Sequence, residues 1–340
     1  MSPQIRPLRP PTRRPTLAKR SGSNSGPQVL VLSGGISHER DISLRSGRLV
    51  AEGLQANGLR VHIADPDANL IDLIDSTRPD VVWPVLHGAS GEDGALRSLL
   101  EMIGVHYVGS SSHSTRLAWD KPAAKTLVNV AGIETPRSIT LSRDAFRELG
   151  AESILNVVER TLGFPLVTKP ARGGSAQGVS WVHSIDELRR AMVHAFTYCD
   201  DALIEQQIAG TEVCVAIVDL GDGPITLPAV EIEPLEGHYT FEARYTAGLT
   251  RFYCPPRRDG STLDALAEQA LLAHTTLGLR ELSRIDFIID ERGTPWFLEA
   301  SVMPGLTETS AVALALDQAG YDVGGVYSAL AERASQRANA

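Results

Sequence analysis

From Val29 onward the chain alternates apolar runs with amphipathic stretches. Val29 to Ser33 predicts a buried strand and Gly34-Gly35 a tight turn. Ser43 to Leu54 predicts a helix with Leu44, Leu49, Val50 and Leu54 at helical spacing. Leu59 to Ala64 and Val81 to Leu86 predict further strands, and Ala95 to Ile103 a helix. Strand and helix in alternation imply a parallel sheet covered on both faces, so residues 28–120 read as an α/β domain. Lys121-Pro122 then opens a new helix to about Ala131, because proline fits a first helical turn and Asp120 is a capping residue.

Beyond that helix the pattern becomes α+β. Phe164 to Lys169 and Gly178 to Val182 read as strands around a glycine-rich turn, Ile185 to Phe196 as a helix and Leu203 to Glu205 as a short strand. This stretch gives a second unit, 121–205. A third, 206–340, holds apolar strands at Val213 to Asp219, Ile225 to Ile232 and Ser283 to Ile289, and helices at Thr262 to Leu277 and Ala311 to Ser335. The polar, aromatic segment Glu233 to Pro256 interrupts it as a long loop, of the kind that serves as a lid.

Residues 1–27 change this picture little. Six prolines, six basic residues and no acid predict a disordered basic tail. With 32 Lys and Arg against 41 Asp and Glu the formal charge is −9, so the body without its tail is near −15. Such a body repels a phosphate backbone, which argues against nucleic-acid binding; an anionic ligand must be met by a few placed cations. No apolar run has the length of a membrane span, and Cys199, Cys214 and Cys254 show no metal spacing, so reduced thiols in a cytoplasm are expected.

Candidate chemistry concentrates in three places. Arg284 to Ser301 contains two apolar runs flanking Asp290-Glu291-Arg292-Gly293, a hairpin signal. A turn centred between Arg292 and Gly293 sets Asp286 opposite Glu299 and Arg284 opposite Ser301, with Ile285, Phe287, Leu298 and Ala300 on the other face. Two carboxylates about 5 Å apart repel unless a divalent cation joins them, an oxygen-ligand site suited to Mg²⁺; a slipped register would leave one facing water. Gly173 to Gly178, after Lys169, could cradle an oxyanion or form an ordinary hairpin turn. His87 to Gly94 and Ser37 to Arg40 follow strands, where α/β domains bind ligands, and the first leads into a helix N-terminus able to receive an anion. Neither the phosphate-binding nor the dinucleotide glycine fingerprint is present.

Taken in order, these motifs resemble one family. Gly34-Gly35 with Glu39-Arg40, His87-Gly88 with Gly91 to Gly94, Asp120-Lys121, Lys169-Pro170 with Gly174-Ser175, Glu205 with Glu212, Tyr245, Arg284 to Asp286, and Glu299-Ala300 with Pro304-Gly305 are similar to D-alanine–D-alanine ligases of the ATP-grasp superfamily. The resemblance runs from Val29 to about Arg333. It implies a three-domain, ADP-forming carboxylate-amine ligase serving peptidoglycan synthesis, with ATP held between the central and C-terminal units. It further implies one or two Mg²⁺ ions, or Mn²⁺ in their place, small amino-acid substrates and a homodimer. On this resemblance Lys121 and Lys169 contact phosphates, the backbone from Glu205 to Ile208 holds adenine, and Glu212 binds ribose. Asp286, Glu299 and Ser301 would hold metal. Glu39 would receive the ammonium of the first amino acid with His87 close by, while Ser175 and Tyr245 position the substrates. Arg244 stands where the family has a lysine near the γ-phosphate. Arg284 and the N–H of Gly305 would stabilise the tetrahedral oxyanion, and Ser310 would hold the carboxylate of the second amino acid.

Five positions depart from the family pattern. Ser301 stands in place of an asparagine, Gly173 of a glutamate, Gln206 of a lysine and Glu308-Thr309 of a Ser-His pair. The changes cluster around substrate and metal, which keeps two alternatives beside D-alanine ligation. One is a ligase or cyclo-ligase for another amino acid, and the other a catalytically weak nucleotide-binding protein.

Overall fold

The structure, a computed structural model, describes residues 26–337, so the expected basic tail lies almost wholly outside the described residues. The chain opens with β1 (Gln28–Leu32), α1 (Arg40–Ala56), β2 (Arg60–Ala64), α2 (Leu70–Thr77), β3 (Val81–Pro84), α3 (Ala89–Glu92) and α4 (Ala95–Met102). The three strands form a parallel sheet in the order β2-β1-β3. β1 and β3 are buried on both faces, as parallel strands under crossover helices must be. Leu30, Leu32 and Val82 pack under Leu70, Ile74 and Leu100 on one side.

Two helices lead out of this sheet, α5 (Ser112–Trp119) and α6 (Lys121–Val130). Asp120 caps α6 by accepting the Ala123 N–H at 3.0 Å, with Pro122 in the first turn where its missing N–H costs nothing. α6, expected to open the central unit, lays Ala124 and Val128 on the large C-terminal sheet instead.

The central elements are β4 (Ser138–Ser142), α7 (Arg143–Glu148), α8 (Ala151–Leu162), β5 (Leu166–Pro170), β6 (Ser180–Val182), α9 (Ile185–Ala195) and β7 (Asp201–Gln206). Their antiparallel sheet runs β4-β7-β5-β6. α8 presents Leu155, Val158 and Leu162, spaced as one helical stripe, and α9 presents Leu188, Met192 and Ala195; both cover the same face.

The last part comprises β8 (Gly210–Asp219), β9 (Pro224–Thr226), β10 (Val230–Pro234), α10 (Phe241–Tyr245), β11 (Thr250–Tyr253), α11 (Gly260–Thr276), β12 (Leu282–Asp290), β13 (Pro295–Ser301), α12 (Ala311–Gln318) and α13 (Val323–Ser335). The sheet runs β11-β10-β8-β12-β13, with β9 beside β8. One face packs Val213, Val215, Ile285 and Phe287 against α5, α6 and α11. The other packs Cys214, Ala216 and Val218 against α12 and α13, and α13 continues onto the N-terminal sheet, where Tyr327 meets Trp83 edge-on at 5.5 Å.

Three expected elements are redrawn. The strand Ile225 to Ile232 is two, because Pro228 has no N–H to contribute to a ladder. The helix Ala311 to Ser335 is also two: Gly320, at φ 76°, ends the first and Asp322 caps the second through the Gly325 N–H. The segment Glu233 to Pro256 is more than loop, since Thr240 caps α10 and β11 pairs with β10, Ile232 opposite Phe252.

Candidate active site

Two adjoining cavities of 380 and 230 Å³ lie where the three sheets meet, and Lys121, Arg244, Asp286 and Glu299 line both. The larger gathers the residues expected to hold a nucleotide: Lys169, Glu205, Ile208 and Glu212 with the glycine-rich turn. The smaller gathers Glu39, His87, Ser175, Tyr245, Arg284, Ser301, Gly305 and Ser310. Each expected site residue therefore faces one cavity or both.

In the larger cavity cations and carboxylates are interleaved. Lys121, at the start of α6, donates to the Gly173 carbonyl at 2.5 Å and lies 3.3 Å from Glu299. Lys169 on β5 pairs with Glu205 of β7 at 2.5 Å. Arg244 stacks over Tyr239 with its guanidinium carbon 4.1 Å from the ring centroid, and its Nε is buried without a partner, a donor left for a ligand. Glu212 is 4.0 Å from Arg244. Burial, with Asp286 and Glu299 nearby, pushes the Glu212 carboxyl up to about 7 despite that arginine. Gln206 turns its amide to the Leu162 carbonyl at 2.9 Å, a structural contact for the residue standing in place of a lysine.

The hairpin has the expected register at its functional end. Arg284 pairs with Ser301, Ile285 with Ala300 and Asp286 with Glu299. Beyond Asp286 a bulge shifts the pairing, so that Phe287 meets Phe297. The expectation that Leu298 lies on the buried face is thereby corrected. Phe297 is buried there, and Leu298 lines the larger cavity beside Glu299. The carboxylate repulsion is offset by the chain's own cations. Arg284 forks onto Asp286 through Nε and a terminal nitrogen, both at 2.7 Å. Burial works against the Glu299 charge, yet Lys121, Lys169 and the two arginines hold its carboxyl down at about 2.

Asp286, Glu299 and Ser301 present oxygen donors only, which fits a hard cation such as Mg²⁺. Among the described residues no group of three His, Cys, Asp or Glu side chains closes around one point. These residues fit a metal that takes its remaining ligands from phosphate oxygens and water, as Mg²⁺ does. The Ser301 hydroxyl donates toward Glu92 at 3.4 Å, and Glu92 also accepts the Gly88 N–H at 2.9 Å. The Gly88 N–H, in the loop after β3, thus receives the chain's own carboxylate. Burial, with Glu39 close by, pushes Glu92 up to about 7.

In the smaller cavity Glu39, at the start of α1, is buried. His87 bonds through Nδ1 to the Met303 carbonyl at 3.1 Å and through Nε2 to the Ser46 hydroxyl at 3.3 Å. A carbonyl can only accept, so Nδ1 carries the proton, and burial lowers the imidazole to about 4, leaving it neutral. His87 therefore pins the 302–306 loop to α1. The Ser175 and Tyr245 oxygens are 2.6 Å apart, joining the glycine-rich turn to α10. Ser310 caps α12 at the Ala313 N–H, and Glu308 is drawn aside by Arg45 at 2.8 Å. Glu92, within the His87 to Gly94 motif, and Arg45 also line this cavity, and Lys125, which lines neither cavity, pairs with Glu205; Arg45 and Lys125 are not singled out by residue type and spacing.

Residues 67–110 match the family model described as D-ala D-ala ligase N-terminus, and residues 127–332 the one described as D-ala D-ala ligase C-terminus. The chain is 34% identical over 309 residues to a D-alanine–D-alanine ligase of Pelotomaculum thermopropionicum, covering 91% of this chain and 97% of that protein. Its fold is similar to that of the VanG D-Ala:D-Ser ligase from Enterococcus faecalis, with a TM-score of 0.77 and 27% identity over 90% of this chain and 98% of that one. It is likewise similar to a D-alanine–D-alanine ligase from Bacillus anthracis complexed with ATP, with a TM-score of 0.73 and 25% identity over 91% and 97% of the two chains.

Proposed function

The chain belongs to the D-alanine–D-alanine ligase family, and on that premise we propose that it joins two D-alanines at the expense of ATP, supplying the dipeptide for peptidoglycan precursors. One observation carries the reading: a cavity lined with Lys121 and Lys169 opens, across the Asp286–Glu299 pair, into a second cavity that holds the buried Glu39 carboxylate, a group fit for an ammonium.

The chemistry follows from the difficulty of the bond. A carboxylate is a poor acyl donor, so an oxygen of the first D-alanine attacks the γ-phosphorus of ATP, ADP leaves, and an acyl phosphate remains. The amine of the second D-alanine then attacks the acyl carbon, and the tetrahedral adduct expels phosphate as the peptide bond forms. Glu39 holds the first ammonium, and Ser175 and Tyr245 orient the first substrate. Lys121, Lys169 and Arg244 bind the phosphates, the backbone near Ile208 the adenine and Glu212 the ribose. Ser310 holds the second carboxylate; with Arg45 occupying Glu308, that acid adds little repulsion. Arg284 and the Gly305 N–H meet the oxyanion. One or two Mg²⁺ ions at Asp286, Glu299 and Ser301 would offset the charge on the transferring phosphoryl group. Residues 233–256, tied to the central sheet through Tyr245 and Ser175, would exclude water from the acyl phosphate. A cytoplasmic homodimer of three-unit subunits belongs to the same reading, checked by light scattering.

The decisive assay is phosphate release and dipeptide mass with ATP, Mg²⁺ and a panel of D- and L-amino acids. Release and dipeptide with D-alanine alone are expected; release only with another amino acid would overturn the substrate. Glu299→Gln is expected to lower turnover ~100-fold or more, and full activity in that variant would remove the metal assignment.

A further inference from the structure

We propose that Lys125, which lines neither cavity, is a positioning residue for nucleotide binding: by neutralising Glu205 from behind, it leaves the Lys169 charge free for a polyphosphate. This deepens the ATP-dependent reading above and rests on it.

Glu205 sits on β7 in the interior of the central sheet, with its side chain 3% exposed. Its two oxygens have different partners. Oε1 meets Lys169 Nζ and Oε2 meets Lys125 Nζ, each at 2.5 Å. Lys125 follows Lys121 by one turn of α6, so one helix sends a lysine to the junction of the cavities and another to the Glu205 carboxylate. There it is 4% exposed and also donates to the Pro136 carbonyl at 3.0 Å. Burial alone would raise the Glu205 carboxyl, yet Lys169 and Lys125 hold it below the ordinary range, so the carboxylate is charged.

The charge balance gives the arrangement its meaning. A Lys169–Glu205 pair by itself would be neutral, and a phosphate would have to compete with Glu205 for the only ammonium. Adding Lys125 leaves one positive charge in excess, and Lys169 is the member of the trio that faces the cavity as a cation. Among the described residues, the ion pairs of Lys121, Lys125 and Lys169 within 4 Å are with Glu205 and Glu299 alone. Three ammoniums against two carboxylates is a costly surplus in a buried place unless an anion completes it. A polyphosphate is such an anion.

The test compares full-length wild type with Lys125→Met, Lys125→Arg and the double variant Lys125→Met/Glu205→Gln. Calorimetry reads binding of a non-hydrolysable ATP analogue with Mg²⁺, and of adenosine, which lacks phosphates. Lys125→Met is expected to weaken analogue binding ~10-fold or more and to raise KM for ATP alike, with a smaller change in kcat and adenosine binding retained. Lys125→Arg should keep most of the affinity. The double variant should recover it, because removing the Glu205 charge restores the surplus. Wild-type analogue binding by Lys125→Met, an equal loss of adenosine and analogue, or no recovery in the double variant would overturn the proposal. If Lys125→Met does not fold, the double variant decides on the same criterion. Wild type that binds the analogue but forms no dipeptide refutes the substrate reading and leaves the role of Lys125 standing.

Discussion

Glu39 has glycine backbone on two sides, and that is what makes its carboxylate usable. A Cβ on Gly88 would lie 2.6 Å from one carboxylate oxygen, and a Cβ on Gly174 would lie 3.3 Å from the other. Gly88 also has φ 67°, a left-handed value that costs a side-chain-bearing residue ~1–2 kcal/mol. Gly88→Ala should therefore displace the carboxylate proposed above to hold the ammonium. Its expected effect is a ~10-fold or greater rise in KM for the first amino acid with nucleotide affinity unchanged; Gly174→Ala, with a looser contact, should do less. Steady-state kinetics with each substrate varied in turn separates the two affinities.

Between elements, the segment that carries α10 and β11 is held to the central sheet by more than the Ser175–Tyr245 contact. His238 stacks on Trp181 of β6 with ring centroids 4.0 Å apart and planes 9° from parallel, and both rings line the nucleotide cavity. Trp181→Ala is expected to loosen that closure, raising KM for ATP and the phosphate released per dipeptide formed, since water then reaches the acyl phosphate. The ratio of phosphate to dipeptide reads it directly. At this scale the sequence is legible where period and caps agree: β1, α4, α6 and the outer half of the hairpin follow from apolar spacing, Asp120 and residue counting. It is opaque where one residue decides. Nothing in Trp296-Phe297-Leu298-Glu299 marks which position is extra, since both Phe297 and Leu298 are apolar, yet the bulge sends one to the core and the other to the cavity. Lys125 was opaque for another reason: its partner is 80 residues away, on a strand whose place is set by the whole central sheet.

For the molecule as a whole, buried histidines make stability depend on pH above the range in which ordinary carboxylates titrate. His87 and His274 are buried, and burial lowers both imidazoles to about 4 from the ordinary 6.5. Below 6.5 the unfolded chain takes up protons that the native state refuses, so stability present above that pH is lost as it falls toward 4, by ~1.4 kcal/mol per unit and per histidine at most. His274, bonded through Nδ1 to the Ser283 hydroxyl at 2.8 Å, is the cleaner probe because it lies away from both cavities. His274→Asn should be somewhat less stable at pH 7.5 and show a flatter decline between pH 6.5 and 4.5 in denaturant titrations. A slope equal to wild type would refute this.

The cradle around Glu39 has a last consequence, for recombination between relatives. Its acid and Gly88 come from the N-terminal sheet and its other wall, Gly174, from the central one, so no exchangeable block contains the whole anchor. A chimera crossing over near Lys121 inherits the acid from one parent and the facing backbone from the other. Its amino-acid preference would then be decided at the seam, by how closely the two parents' backbones approach, and would belong to neither of them.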